Sequence, residues 1–395
     1  MMKKILIIGA GIAGLNASKS AREVDKDCQI TILESGSLNT YTRTRIPHYI
    51  SGETSLNDLT TYGDDWYIKN RINLVKETKV TGIDVNEKMV LTDKGNYYYD
   101  SLIIAAGASP FKPNIKGIDL KNIFTIRTIH DADNVINSAK KCKVCTVIGG
   151  GLLGLEIGHS IRQLGCEVNI IERNERLLPR QSDSIASSLL LDALKSKGIN
   201  VYLNGETEEF VGDNEVSRVK LKDGRVIDTD FVILSMGVRA NIAPFDNIGL
   251  EIGRAIKVDK YMRTNIEDIY AAGDVAEYNE NNYCIWPIAI SQGKVAGSNA
   301  AGKVTIYEDT KPHTQLKIPG ITLFTIGNIF CQDCESLQRF DKDNGKYLKF
   351  FLKDGLIVGA IVFGEVSLPN KVRKAVENKK KFIGISNIDE LLESL

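Results

Sequence analysis

The amino-acid sequence predicts an α/β fold in which two doubly wound parallel-sheet units precede a small C-terminal α+β segment. Three observations predict it. A wholly apolar strand, Ile5 to Ile8, leads into a glycine-rich turn, a helix, a second strand and an acidic residue, Glu34. The same succession returns from Val144 to Glu172. After Thr314 the pattern changes to strands, with Lys346 to Phe363 reading as a hairpin around Asp354-Gly355, and ends in a helical tail.

The first strand has no polar alternation, which suits a parallel strand covered on both faces. Its turn is Gly9-Ala10-Gly11-Ile12-Ala13-Gly14. In such a turn the first glycine permits the bend, the second lets a diphosphate approach the backbone, and the third lets the helix pack on the sheet. Free N–H groups at the helix N-terminus favour the negative charge. Glu34, twenty residues after Gly14, stands where a carboxylate accepts from ribose hydroxyls, with Ser35 beside it. The plain alternative is a strand-turn-helix that binds nothing.

From Ser35 to Glu53 the chain is loop-rich and contains Arg43, Arg45 and His48 but no cysteine. Without a thiol there, electrons cannot leave a neighbouring redox ring through sulfur. The two arginines read either as a solvated loop or as cations that stabilise a reduced, anionic cofactor ring. Residues 57 to 70 read as helical, and 72 to 92 as two short strands with a turn around Asn86. Tyr97 to Gly107 is another buried strand running into the small residues Ala105, Ala106 and Gly107, which let backbone approach a large cofactor.

After a linker from Ser109 to Asn122, the second strand opens the turn Gly149-Gly150-Gly151-Leu152-Leu153-Gly154. A helix to Leu164, a strand from Glu167 and Glu172 follow, so two dinucleotides are expected, unless the duplicate is an empty copy. Glu172 repels a 2′-phosphate and argues for NADH over NADPH, against which stand the neighbouring Arg173 and Arg176. Asp230 to Gly237 is another strand into a small-residue turn, and Ile269 to Asp274 another. Asp274 at a strand end can accept a hydrogen bond from a cofactor hydroxyl or serve as an ordinary turn aspartate. Trp286 to Gly293 precedes a small-residue helix, and Trp286 reads as cofactor contact or as core.

Composition narrows the function classes. Fifty Lys plus Arg balance fifty Asp plus Glu, so no global field recruits nucleic acid or an anionic membrane. No apolar stretch reaches the roughly 20 residues of a membrane span, and a cytoplasmic protein is expected. Seven cysteines are not a secreted disulfide framework and are expected as reduced thiols. Cys142/Cys145 and Cys331/Cys334 are both C-x-x-C, each supplying two ligands where a structural metal needs four. Cys145 reads as packing, whereas the second pair leaves a redox dithiol open. The four histidines show no paired spacing, and no metal is expected. The basic run Lys371 to Lys381 reads as a solvated helix face or as a dock for an acidic carrier.

Tyr99-Asp100-Ser101-Leu102-Ile103-Ile104-Ala105-Ala106-Gly107 resembles the second flavin motif of the pyridine-nucleotide-dependent FAD oxidoreductases, with Ala106 at its central Thr. Thr264 to Asp274 resembles the third, and DFVILSMGVRAN the second nicotinamide-domain motif. The resemblance covers essentially the whole chain and implies two Rossmann-like dinucleotide-binding domains, FAD on residues 1–108 and 240–313, NAD on 109–239, and a C-terminal domain at 314–395. It implies FAD contacts at Gly9, Ala10, Gly11, Ala13, Gly14, Glu34, Ser35, Arg43, Asp100, Ala106, Gly107, Gly273, Asp274 and Trp286. NADH contacts are implied at Gly149, Gly151, Leu152, Leu153, Gly154, Glu172 and Gly237. Glu156, otherwise a surface carboxylate, is implied near the nicotinamide and flavin rings, with Arg43 and Arg45 tuning the flavin.

Tyr41 to Ile46 and the tail GEVSLPNKVRKAVENKKKF resemble NADH:rubredoxin oxidoreductases and the flavoprotein front half of NADH-dependent nitrite reductase large subunits. The activity implied is electron transfer from NADH through FAD to a one-electron carrier such as rubredoxin, by a monomer or homodimer. The alternatives are an NADH oxidase giving peroxide and a redox-responsive NADH/FAD-binding protein.

Overall fold

The structure, a computed structural model, describes residues 2–308 and 311–395; residues 309 and 310, inside the expected 240–313 segment, lie outside the described residues. Two compact units emerge. One holds the chain up to Arg45, Thr54–Ser109 and the segment from Val238, and the other Ile46–Glu53, Pro110–Gly237 and Lys311–Leu395.

The first unit is built on a parallel five-stranded sheet, in the order Ile269–Ala271, Ser101–Ile104, Lys4–Ile8, Gln29–Leu33, Ile72–Val75. Its strands alternate between two buried faces, as covered parallel strands do. Ile5, Ile7, Ile30, Ile32 and Ile103 pack with the alanines of the helices Ile12–Val24 and Trp286–Ala300. Leu6, Ile8, Leu33, Leu102 and Ile104 pack with Val80, Ile83 and Val90 of an antiparallel three-stranded sheet, residues 80–98. Register fixes the rest: Ile8, Leu33, Val75, Ile104 and Ala271 line up at one edge, so the segments after them emerge together.

The second unit repeats this sheet, in the order Ile199–Tyr202, Glu167–Ile171, Val144–Ile148, Phe231–Leu234, Ile123–Thr125. Ile148, Ile171, Tyr202 and Leu234 are in register at its edge. It also contains a five-stranded antiparallel sheet, in which the expected hairpin is Lys346–Lys353 with Leu356–Phe363. Helix Leu368–Glu377 buries Leu368, Val372 and Ala375 on this sheet and exposes Lys371 and Lys374. No helix among the described residues is long and apolar enough to cross a membrane.

Several sequence expectations change. The 57–70 helix is two short ones, Leu56–Leu59 and Asp64–Lys69, because Gly63 starts the second afresh. Residues 72–92 give three strands, not two, although the turn at Asn86 stands. The small-residue helix begins at Trp286, not after Gly293, since Pro287 in its first turn needs no N–H partner. Residues 46–53 cluster with the second unit: Tyr49 donates to Asp133 at 2.8 Å and Gln163 to Glu53 at 3.0 Å. The thiol expectation also fails at one place, because Cys331 and Cys334 form a disulfide. Their Cα atoms are 5.6 Å apart in one tight loop, so closing the ring needs little chain ordering. The other five cysteines are not disulfide-bonded.

Candidate active site

At the edge of the first sheet, Gly9 adopts φ +100°, and a Cβ there would lie 2.5 Å from the Ala105 carbonyl oxygen. Gly14 is tighter still, with a Cβ position 2.0 Å from the Gly9 carbonyl oxygen. Gly11 differs from both: nothing lies within 4 Å of its Cβ position. Two of the three glycines therefore serve packing, and the middle one faces open space.

The helix that starts there, Ile12–Val24, has Gly11 as N-cap, no side-chain cap and no acid in its first turn. Helices beginning after Ser55, Thr128, Asp183 and Asn387 are all capped by those side chains. Uncapped N–H groups facing open space suit an anion. Glu34 closes the turn from the side, its Oε2 accepting from Ala10 N at 2.8 Å and its Oε1 from Gly36 N at 2.8 Å. Ser35 is exposed and donates to Glu34 at 3.4 Å.

Sequence reasoning missed three residues that set this edge. Thr40 Oγ1 donates to the Ala10 carbonyl at 2.6 Å. Asn241 Nδ2 donates to the Ala106 carbonyl at 2.9 Å, beside Gly107 at φ +68°. Gln292 is buried and accepts from Gly273 N at 2.9 Å, which ties the Trp286–Ala300 helix to the strand end carrying Asp274. That helix, too, starts without a side-chain cap or an acid in its first turn, and Trp286 there is half-buried.

Arg43 and Arg45 sit on one 3-10 turn, both half-buried. The Arg43 guanidinium lies 5.6 Å over the Tyr41 ring, and Arg45 donates to Thr54 at 3.3 Å. Asp100 needs correction. It precedes the strand Ser101–Ile104 and accepts from Lys4 N at 2.6 Å, at the opposite end of the sheet from the Gly9 turn. Its work is to join two strand starts. Asp230 does the same in the second sheet, accepting from Lys143 N and Val144 N.

The second turn repeats the first. Gly149 has φ +112°, and its Cβ would lie 2.2 Å from the Ser235 carbonyl oxygen. Gly154's would lie 2.1 Å from the Gly149 carbonyl oxygen, and again the middle glycine, Gly151, has nothing within 4 Å. Helix Leu152–Gln163 starts uncapped, and Leu153 exposes an apolar side chain there. Glu172 is buried, accepting from Gly150 N at 2.9 Å and from Asn174 N at 2.8 Å. Gly237, at φ +89°, also has no neighbour near its Cβ position.

Glu156 is not on the surface. It is 8% exposed and accepts from the Lys317 backbone N–H at 2.8 Å. Burial pushes its carboxyl up to about 7, against the opposing pull of Lys317. A carboxyl of that kind can hold or release a proton at neutral pH.

Both turns fit a dinucleotide: an uncapped helix start, room at the middle glycine and an acid bonded across the loop. Residues 3–293 match the family described as pyridine nucleotide-disulphide oxidoreductase, and residues 312–380 the rubredoxin NAD+ reductase C-terminal domain. NADH-rubredoxin oxidoreductase of Clostridium acetobutylicum is 34% identical over 393 residues, covering 99% of each chain. A crystal structure of the NADH:rubredoxin oxidoreductase from that organism superposes with a TM-score of 0.81 at 33% identity, covering 100% of both chains. Nitrite reductase [NAD(P)H] of Bacillus subtilis is 34% identical over 98% of this chain, which spans only 49% of that protein. A second relative from the same organism is spanned to 48%, so the chain is about half the length of both. The chain belongs to the pyridine nucleotide-disulphide oxidoreductase family.

Proposed function

We propose that the protein takes electrons from NADH through FAD to an external one-electron carrier, rubredoxin foremost, and does so in the cytoplasm. When bound, NADH supplies a hydride and FAD releases the electron pair singly. The chain's own part is positioning. The N–H groups after Gly11 and Gly151 hold the two diphosphates, Glu34 and Glu172 orient the riboses, and Glu172 favours NADH over NADPH. Gly9, Ala10, Ala13, Gly14, Ser35, Ala106, Gly107, Gly273, Asp274 and Trp286 form the FAD surroundings, and Gly149, Leu152, Leu153, Gly154 and Gly237 those of NADH. Arg43 and Arg45 would supply positive charge to a reduced flavin, and Glu156 would hold or release a proton for the nicotinamide. We read 1–108 with 240–313 as the FAD part, 109–239 as the NAD part and 314–395 as a third, with 46–53 moved to the second.

One observation carries the choice of a one-electron acceptor: no cysteine stands between Ser35 and Glu53, so no thiol is available there to take the electron pair. The C-terminal match to a rubredoxin reductase domain supports the same acceptor. The test compares NADH consumption by the purified holoprotein under oxygen alone and with rubredoxin added. Rubredoxin should be reduced far faster than oxygen. Equal rates with peroxide formed mole for mole would instead make this an NADH oxidase. Flavin that bleaches with NADH but reoxidises slowly with every carrier would make it a redox-responsive binding protein.

A further inference from the structure

The function just proposed makes no use of the loop Phe330-Cys331-Gln332-Asp333-Cys334 in the antiparallel sheet. This loop leaves the strand Leu323–Gly327 and enters the edge strand Glu335–Asp341. Gln332 and Asp333 are exposed, the two cysteines half-buried, and the large apolar Phe330 beside them is 50% exposed. Nothing about packing requires a bond in this place. A disulfide across two intervening residues closes too small a loop to restrain the unfolded chain much, so stabilisation is a weak reason for it.

The surroundings suit a pair that opens. Asp333 Oδ1 lies 3.4 Å from Cys331 Sγ, although a disulfide sulfur has no proton to offer a carboxylate. In the dithiol the same contact becomes a Cys331 S–H donating to Asp333. The carboxylate is fixed in place from its other oxygen, which accepts from Lys353 Nζ at 2.6 Å. Lys353 ends the strand Lys346–Lys353, so the acceptor is anchored to the sheet. That hydrogen bond and the Lys353 charge hold the Asp333 carboxyl below its usual range, so it remains an acceptor at neutral pH.

We propose that Cys331 and Cys334 are a reversible thiol–disulfide couple, opened by a dithiol reductant that docks at the exposed loop, with Asp333 as the acceptor that stabilises the opened form. The balance is simple. The reductant's two thiols give up two electrons and two protons as their own S–S bond forms. The Cys331–Cys334 bond breaks, and both sulfurs finish as thiols. Phe330 gives the incoming partner an apolar contact beside the sulfur it attacks.

The test equilibrates the native holoprotein with dithiothreitol at graded ratios of its reduced and oxidised forms, quenches with acid, alkylates in denaturant and counts adducts by mass. Molecules should shift from five alkylated thiols to seven in one two-electron step, with both added labels on the peptide holding Cys331 and Cys334. Loss of one hydrogen bond makes the expected effect of Asp333→Ala a shift of about fivefold toward the disulfide. NADH oxidation checks that this variant is folded. A pair that stays oxidised or stays reduced at every ratio overturns the proposal, as do labels that map to another cysteine. An unmoved midpoint in Asp333→Ala overturns the role of the carboxylate.

Discussion

Glu156 is ionised at the expense of the fold. Below pH 4.5, its ordinary value, folded and unfolded chains both carry the proton and the group contributes nothing. Between 4.5 and about 7 the folded protein keeps a proton that the unfolded chain has lost, so stability falls as pH rises. Above that window the accumulated loss is about 3 kcal/mol. Glu156→Gln keeps an acceptor for the Lys317 N–H and removes the ionisation. Urea midpoints of the variant should therefore flatten across the window and exceed those of the wild type above it; parallel profiles would refute the buried, raised carboxyl. Glycines of one turn should separate just as clearly. Gly14→Ala drives a methyl onto the Gly9 carbonyl, where overpacking costs about 1–3 kcal/mol. Gly11→Ala meets no protein atom, so unfolding of the apoprotein should change by no more than about 1 kcal/mol while FAD retention on dilution falls. Equal behaviour of the two variants would remove the distinction between a packing glycine and a phosphate glycine.

Among the elements, the pair Ile12–Val24 and Trp286–Ala300 shows what small residues do. Cβ atoms at Gly293 and Gly297 would lie 2.3 Å from the Ala13 carbonyl oxygen and 2.1 Å from that of Ala17, so the two helices touch backbone to backbone. Gly297→Ala must push them apart, at about 1–3 kcal/mol, and the displacement reaches Gln292 and its bond to Gly273. The variant should lose both thermal stability and FAD, as read by the melting temperature and the yellow colour retained on gel filtration. A variant that keeps its full colour would show that the helix contact and the flavin site are independent. The glycine-turn strands were readable in advance because their spacing carries the packing rule itself. Thr40, Asn241 and Gln292 were not, since each is a single polar residue whose partner lies 19 to 135 positions away. Ile46–Ile50 escaped notice for a related reason: five residues between loop signals are too short to show a helical period.

For the whole molecule, the presence of two alike parallel sheets could be read from the duplicated glycine turns, but the division of the chain could not. Residues 46–53 join the second unit through Tyr49 and Glu53, two contacts that leave no trace in composition. Asp100 shows the opposite error, in which a residue belonging to a flavin motif turns out to work at the far end of the sheet. Motif membership says that a residue is needed for the fold or the ligand, without saying which. The first sheet also has its fifth strand at Ile269–Ala271 and its covering helix at Trp286–Ala300, while the whole second parallel sheet lies in the chain between Ile104 and that fifth strand. On the ribosome, the amino-terminal portion is therefore made long before the pieces that finish it. At ordinary elongation speeds, about 10 to 40 s separate the emergence of Ser109 from that of Ala300. The second parallel sheet, complete at Leu234, can close during that interval, so the newborn chain finishes its second glycine-turn fold before its first, and a ligand of the Gly9 turn meets a finished fold only once Ala300 has been made.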